Sequence, residues 1–341
     1  MKKSLMTLGV LALFVLMAYG QEKKFALYSV AFYNMENLFD TIHDEGKNDY
    51  EYLPNGTNQW NTMKYKAKLK NMAEVLSKLS TDKLPMGPAI IGVSEIENYR
   101  VLEDILKQPA LADRGYQYVH YEGADQRGVD CAFFYNPKLF ELTNSKLVPY
   151  VYINDTVHKT RGFLIASGNI AGEKMHFIVN HWPSRAAASP ARERAGEQVR
   201  AIKDSLLRED SAAKIVIMGD MNDDPMDKSM AVALGAKRKP ADVGPTDLYN
   251  PWWDTLKKGY GTLMYKGKWN LFDQIVFTGN LLGTDRSTLK FYKHEIFRRD
   301  FMFQKEGKYK GYPKRTQAGG VWLNGYSDHL PTIIYLIKEV K

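Results

Sequence analysis

The 341-residue sequence predicts an α+β fold with mixed sheets covered by helices, on three observations. Short runs rich in β-branched and aromatic residues recur along the chain, two segments space their apolar residues as helices do, and several strand-like runs are separated only by a turn. The strand-like runs are 27–33, 89–93, 116–121, 130–135, 162–166, 174–179, 214–218, 274–277 and 332–337. Leu69, Met72, Leu76 and Leu79 form one helical stripe, and Ala195, Val199, Ile202 and Leu206 form the other. Pro190 suits the first turn of the second helix, with Ser189 before it as a cap. Within 116–135 and 162–179 there is no room for a crossover helix, so those strands pair antiparallel rather than in a strictly alternating parallel sheet.

The first twenty residues read as a secretory signal peptide: Lys2 and Lys3, an apolar run from Leu5 to Tyr19, then small residues at Ala18 and Gly20 before a cleavage point. The run is shorter than the roughly 20 residues that span a bilayer, which argues against stable membrane insertion. With no cysteine after it, the lipoprotein route is closed. The expected product is secreted or periplasmic. Residues 21–341 contain no repeat and no linker-like tract, and read as one catalytic domain.

Composition narrows the chemistry. At 44% hydrophobic and 25% charged residues, the chain is neither disordered nor collagen-like. Cys131 is the single cysteine, so there is no disulfide framework and no zinc site built on several thiolates. None of the seven histidines sits in a His-Glu-x-x-His pattern, which argues against a zinc metalloprotease. The net charge of +8 becomes +6 once Lys2 and Lys3 are removed, a mild bias toward anionic partners. Nothing in the pattern implies a protein partner.

Polar residues cluster where apolar strands end. Asn34 and Glu36 follow LYSVAFY, Glu95 follows AIIGVS, His181 follows HFIVN, Asp220 and Asn222 follow KIVIMG, and Asp328 with His329 precedes the last strand. Strand ends are where rigid scaffolds present site residues. A set made of Asn34, Glu95 and Asp328, with Asp220 and Asn222 opposite, offers hard oxygen donors suited to Mg²⁺ or Mn²⁺. Mg²⁺ commonly holds substrate phosphates, so the ligand type itself points to phosphate-ester chemistry. Asp220 could take a proton from an attacking water while the Asn222 carboxamide fixes that water or the phosphate. His329 needs a carboxylate on its second ring nitrogen, and Asp273 in WNLFDQI is the candidate. In NHWPSR, His181 could protonate a leaving oxygen or contact a phosphate oxygen, with Ser184 and Arg185 as further donors. Asp130 reads either as a brace for the site or as half of a buried salt bridge. The aromatics Trp252, Trp253, Tyr260, Tyr265 and Trp269 read as packing for a long loop more readily than as a base-stacking platform.

Taken in order, FYNMEN, SEIEN, NHWPSR, GDMN, WNLFDQI and SDHLP resemble the signature of the endonuclease/exonuclease/phosphatase superfamily, over residues 30 to 337. The resemblance implies a four-layer α/β/β/α sandwich with two mixed sheets and one divalent-metal site at their edges. It implies that Glu95 is the principal metal ligand, with Asn34 and Asp328 nearby, and that Asp220 orients or deprotonates the water. It also implies that Asn222 holds the phosphate, and that His329 paired to Asp273 contacts the scissile phosphate or acts as base. His181 matches the deoxyribonuclease branch, where the abasic-site branch has tyrosine. Arg161 in TRGFL resembles a phosphate-contacting arginine. The expected activity is a secreted Mg²⁺- or Mn²⁺-dependent phosphodiester hydrolase, a nuclease acting on DNA or RNA. A lipid phosphodiesterase or a phosphomonoesterase would use the same core, and a polyanion-binding protein without turnover is the reading outside enzymes.

Overall fold

The computed structural model describes residues 23–153 and 157–340. The expected signal peptide, residues 1–20, lies outside them. The principal strands are β1 (Lys24–Leu38), β2 (Ile90–Ile96), β3 (Gln117–His120), β4 (Asp130–Tyr135), β5 (Glu141–Val148) and β6 (Phe163–Ile170). They continue with β7 (Glu173–His181), β8 (Lys214–Asp220), β9 (Asp273–Thr278), β10 (Lys290–Ile296) and β11 (Thr332–Val340). The helices are α1 (Thr62–Ser77), α2 (Tyr99–Leu106), α3 (Ser189–Glu209) and the short α4 (Trp253–Lys257).

One sheet runs β10-β11-β1-β2-β4-β3; the other runs β5-β6-β7-β8-β9 and ends in the two-residue strands Leu248–Tyr249 and Ala236–Lys237. Each sheet holds one parallel pair among its principal strands, β1 with β2 and β7 with β8. A parallel pair needs a crossover, and these two are bridged by the long helices α1 and α3. The two sheets stack face to face with helices outside, giving the four-layer sandwich.

Alternation along the strands assigns the faces. On β8, Val216 and Met218 join the core between the sheets, whereas Ile215 and Ile217 pack with Ala195, Val199 and Leu206 of α3. Both faces are therefore apolar, which is why KIVIMG reads as a continuous hydrophobic run. Each fully buried aliphatic of this kind stabilises the fold by about 1.5–3 kcal/mol.

Two local expectations shift. Helix α3 has Ala188 at its N-cap position, with Ser189 already in the first turn and donating from Oγ to Glu193 Oε1 at 3.1 Å. Ser189 is thus not the cap, because Pro190 seats one position deeper in the first turn. The expected strand 27–33 extends in both directions, to Lys24–Leu38.

Glu173, at the start of β7, staples the two sheets. Its carboxylate lies 2.5 Å from Lys214 Nζ and 2.7 Å from Lys338 Nζ, and accepts from the Leu289 amide. Partial burial opposes ionisation, but the Lys214 and Lys338 hydrogen bonds outweigh it and hold the carboxyl below its ordinary 4.5. Because the folded-state value is depressed, the stabilisation is present above pH 4.5 and is lost as pH falls through the folded value. Glu173→Gln should cost about 1–3 kcal/mol near neutrality, with the gap to the parent closing in acid. Denaturant melts at both pH values check this, and a gap that stays constant would refute it.

Candidate active site

The site forms where the two sheets meet at their strand ends. The β1–β2 ladder is regular to Asn34↔Ser94 and resumes only at Leu38↔Ile96. The β2–β4 ladder slips between Ser94 and Ile96. Inside these irregularities Glu36, Asn37 and Glu95 adopt left-handed backbone, with φ of 46°, 52° and 59°. Such conformations cost about 1–3 kcal/mol for ordinary residues and persist where surrounding structure enforces them. Here they turn carboxylates that would follow the strand pleat into the space between the sheets.

In the second sheet the register does the positioning. His181 of β7 and Asp273 of β9 are the direct neighbours of Asp220 on either side. His329 reaches the same point from the turn before β11, and a β-bridge to Leu263 fixes its backbone.

The side chains converge. Asn34 Nδ2 donates to Glu95 Oε1 at 3.1 Å and to Asp220 Oδ2 at 3.0 Å, linking the sheets through one carboxamide. Glu95 Oε2 accepts from the Asn37 amide at 2.9 Å. His181 Nε2 lies 3.7 Å from both Glu95 Oε1 and Asp220 Oδ2. His329 Nδ1 is 2.7 Å from Asp273 Oδ2, and its Nε2 is 3.9 Å from both Asp220 Oδ2 and Asp328 Oδ1. Ser327 Oγ donates to the Asn34 carbonyl and accepts from the His329 amide, so the last turn is tied to the first strand.

Burial and charge separate the two histidines. Burial pushes His181 well below the ordinary imidazole value, and the charges of Arg161, Arg127 and His329 push the same way. For His329 burial also lowers the value, but the carboxylates of Asp273 and Asp220 outweigh it and raise it well above 6.5. Asp220 is pushed up to about 7, first by burial and then by Asp273 and Glu95, against His329 and the Asn222 amide. Groups with such opposed environments cluster at functional sites.

The remaining expected residues lie around this centre. Asn222, also left-handed at φ 52°, donates from its amide N–H to Asp220 Oδ1 and from Nδ2 to the Trp182 carbonyl. Asp328 is held by Arg315 Nη2 at 3.0 Å. Arg161 is buried and spends Nη1 on Asp125 and Nη2 on the Trp182 carbonyl, both at 2.9 Å; its Nε has no partner. Arg185 donates to the Asn222 carbonyl, contacts Asp227 at 3.0 Å and stacks on Phe272, while Ser184 is exposed and accepts from Ala186. Asp130 pairs with His120 at 3.1 Å, the buried-pair reading. Trp252 is buried and Trp269 half-buried, as the packing reading expects, but Tyr260 and Tyr265 stay exposed.

Two charged residues, Lys68 and Arg315, escape sequence reasoning; both gather about Glu36, a strand-end residue to which sequence reasoning attaches no role. Glu36 accepts from Arg315 Nε at 2.8 Å and from the Thr316 amide at 2.6 Å. Lys68 of α1 is fully buried and donates to Thr316 Oγ1 and the Tyr326 carbonyl, both at 2.6 Å. A lysine beside Leu69 and Met72 in an apolar stripe is a readable signal; Arg315, in an aperiodic loop, offers none.

The donor set fits a divalent cation. Ligand-type atoms of Glu95, His181 and Asp220 lie within 4.8 Å of one another, as do those of Asp220, Asp273 and His329. Asp273 Oδ1 is buried without a hydrogen-bond partner, an acceptor that the protein itself leaves unsatisfied.

Comparison with known proteins agrees with the geometry. Residues 29–338 match the model of the Endonuclease/Exonuclease/phosphatase family. No curated protein sequence matches the chain. Among solved structures, a Bacteroides thetaiotaomicron endonuclease/exonuclease/phosphatase family protein is 15% identical, with TM-score 0.57, over 93% of this chain and 100% of that one. The mannosyl-6-phosphatase of B. thetaiotaomicron VPI-5482 is 15% identical, with TM-score 0.54, over 91% and 99%. TDP2 of D. rerio in complex with single-strand DNA product is 15% identical, with TM-score 0.53, over 91% and 98%. At these identities the likeness is one of fold. With the family match running through nearly every strand and through each of the converging residues, the chain belongs to the endonuclease/exonuclease/phosphatase family of metal-dependent phosphoester hydrolases.

Proposed function

We propose that the protein is a secreted phosphodiesterase that uses Mg²⁺ or Mn²⁺ and takes nucleic acid as its substrate. The convergence of Asn34, Glu95, His181, Asp220, Asp273 and His329 from both sheets carries the hydrolytic part of this reading. The net charge of +6 that remains of the +8 without Lys2 and Lys3 supports a polyanionic substrate. The lysine-flanked apolar run at residues 2–19 supports export to the periplasm or medium.

Glu95 would hold the cation, with Asn34 and Asp328 beside it. Lewis-acid neutralisation of a phosphoryl oxygen is the chemistry that a bound divalent cation supplies, worth several kcal/mol. Asp220 Oδ2 orients the attacking water and takes its proton, its other oxygen being anchored by the Asn222 amide. The Asp273 contact fixes a proton on His329 Nδ1 and presents Nε2 to a phosphate oxygen. His181, kept neutral, stands ready to assist the leaving oxygen, and Asn222 contacts the phosphate. Ser184 and Arg185, on the exposed turn after β7, would serve as outer phosphate donors, whereas the expected phosphate contact of Arg161 gives way to its buried pairing with Asp125 and the Trp182 carbonyl.

Turnover by the purified mature protein should vanish with chelator and return with Mg²⁺ or Mn²⁺ but not Zn²⁺. The panel should set plasmid DNA and single-stranded RNA against sphingomyelin, inositol phosphates and mannose 6-phosphate. Cleavage confined to a phosphomonoester or a lipid headgroup would overturn the nucleic-acid part, and turnover that survives chelation would overturn the metal part.

A further inference from the structure

Next to the catalytic cluster lies a cavity of about 630 Å³ that hydrolysis as described leaves without a role. That size falls in the range of pockets that seat small organic groups. One wall is Leu263 to Lys266, the first strand and turn of the hairpin that Lys268–Asn270 completes; the other is the loop from Gln304 to Gly319. The hairpin is anchored to the active site by the Leu263–His329 bridge and by the Leu330 amide donating to the Thr262 carbonyl at 2.9 Å. It is anchored to the opposite wall by the Gly267 amide donating to the Tyr312 hydroxyl at 2.7 Å. Arg315 and Asp328 line the cavity, so a group seated there abuts the turn that carries His329.

The lining has a distinct chemistry. Tyr265 and Tyr309 present rings that are 62% and 48% exposed. A lysine ammonium stands over each, Lys266 at 5.2 Å and Lys308 at 5.5 Å from the ring centroid. The segment 305–315, KEGKYKGYPKR, interleaves five cations and two tyrosines with the single acid Glu306. Tyr312 holds the hairpin and meets the Tyr309 ring edge-on at 5.5 Å between centroids, which leaves the ring of Tyr265 and the exposed part of Tyr309 to take a ligand. Cations that track phosphates, interleaved with open aromatic faces, are the chemistry that binds single-stranded nucleic acid. A duplex keeps its base faces stacked inside, so it would leave these rings unused.

We propose that this cavity is the groove for the single-stranded segment adjoining the scissile phosphate, with Tyr265 and Tyr309 stacking bases and Lys266 and Lys308 on the flanking phosphates. The proposal rests on the nucleic-acid reading above and makes the substrate single-stranded.

The test compares the parent with Tyr265→Ala/Tyr309→Ala and Lys266→Ala/Lys308→Ala. Binding of a labelled short oligothymidylate and of a duplex of equal length is read by fluorescence anisotropy with chelator present. Turnover of bis(p-nitrophenyl) phosphate with Mn²⁺ is read separately. The parent should favour the single strand. The tyrosine pair should weaken that binding about 10- to 100-fold, and the lysine pair should lower the salt slope by about 1.4. Small-diester turnover should stay within about twofold of the parent, because the altered residues touch no reacting group. Equal binding of oligothymidylate by parent and tyrosine variant, with turnover intact, would overturn the groove and leave the catalytic reading standing. Tyrosine-dependent strand binding without any metal-dependent turnover would support the groove and overturn the catalytic reading.

Discussion

Glu95→Gln is expected to lower kcat for phosphodiester hydrolysis by about 10²–10⁴-fold, because it removes the anionic oxygen that gives the proposed cation site its charge while keeping the side chain's shape. The glutamine carbonyl can still accept from the Asn37 amide, so the bulge at Glu95 should survive and thermal stability should change little. Asp273→Asn tests the other half of the site. It leaves a side chain of the same size beside His329 Nδ1 but removes the carboxylate that fixes the imidazole, for an expected loss of about 10²–10⁴-fold. Steady-state kinetics on a small diester measures both. Residual turnover within about tenfold of the parent in either variant would sink the assigned roles, since losing a group that holds the cation, or one that orients the imidazole, costs more than that.

Lys68→Met carries the largest expected effect on stability. Lys68 and Glu36 are both buried and meet through Thr316, whose hydroxyl accepts from the ammonium and whose amide donates to the carboxylate. Burial pulls Lys68 down to about 8, against the charges of Glu36, Asp328 and Glu95. Burial likewise lifts Glu36 to about 7, helped by Asp328 and opposed by Lys68 and Arg315. Removing the ammonium leaves the Tyr326 carbonyl and the Thr316 hydroxyl without their buried donor and leaves Glu36 with only the part-exposed Arg315 as counter-charge, which together cost about 3–5 kcal/mol. The loop that carries Arg315 and Thr316 would also lose its tether to α1. Denaturant unfolding should show this loss, with partial recovery in Lys68→Met/Glu36→Gln, where the buried carboxylate left with one cation fewer is replaced by a neutral group. A loss under about 1 kcal/mol, or a double variant as unstable as the sum of the singles, would refute the coupling.

What was readable in the sequence follows the strength of each local signal. The strands of both sheet centres are buried on two faces, so AIIGV and KIVIM are nearly pure apolar runs. β5, with the sequence ELTNSKLV, and β10, with KFYKHEI, went unread because they lie at sheet edges, where charged residues guard against unwanted pairing. The eight-residue α2 is too short for a periodic signal to stand out. The pairing of His329 with Asp273 was legible because an imidazole at a strand end calls for a carboxylate and few were placed to supply one. The engagement of Arg161 with Asp125 was not, since a guanidinium pairs with a phosphate or a carboxylate on equal terms and only proximity chooses.

The sequence by itself determined the α+β class, the order of the strand-end strings and the identity of the polar side chains gathered at the centre. These are local properties, set by apolar periodicity and by side-chain chemistry. Only the tertiary structure decided that Asp220 stands between His181 and Asp273, that Asn34 joins the two sheets, and that Arg315 and Lys68 reach in from distant elements. Register, bulges and sheet stacking are fixed by long-range pairing and burial, and a single strand's residues carry no record of which partner will lie across from them.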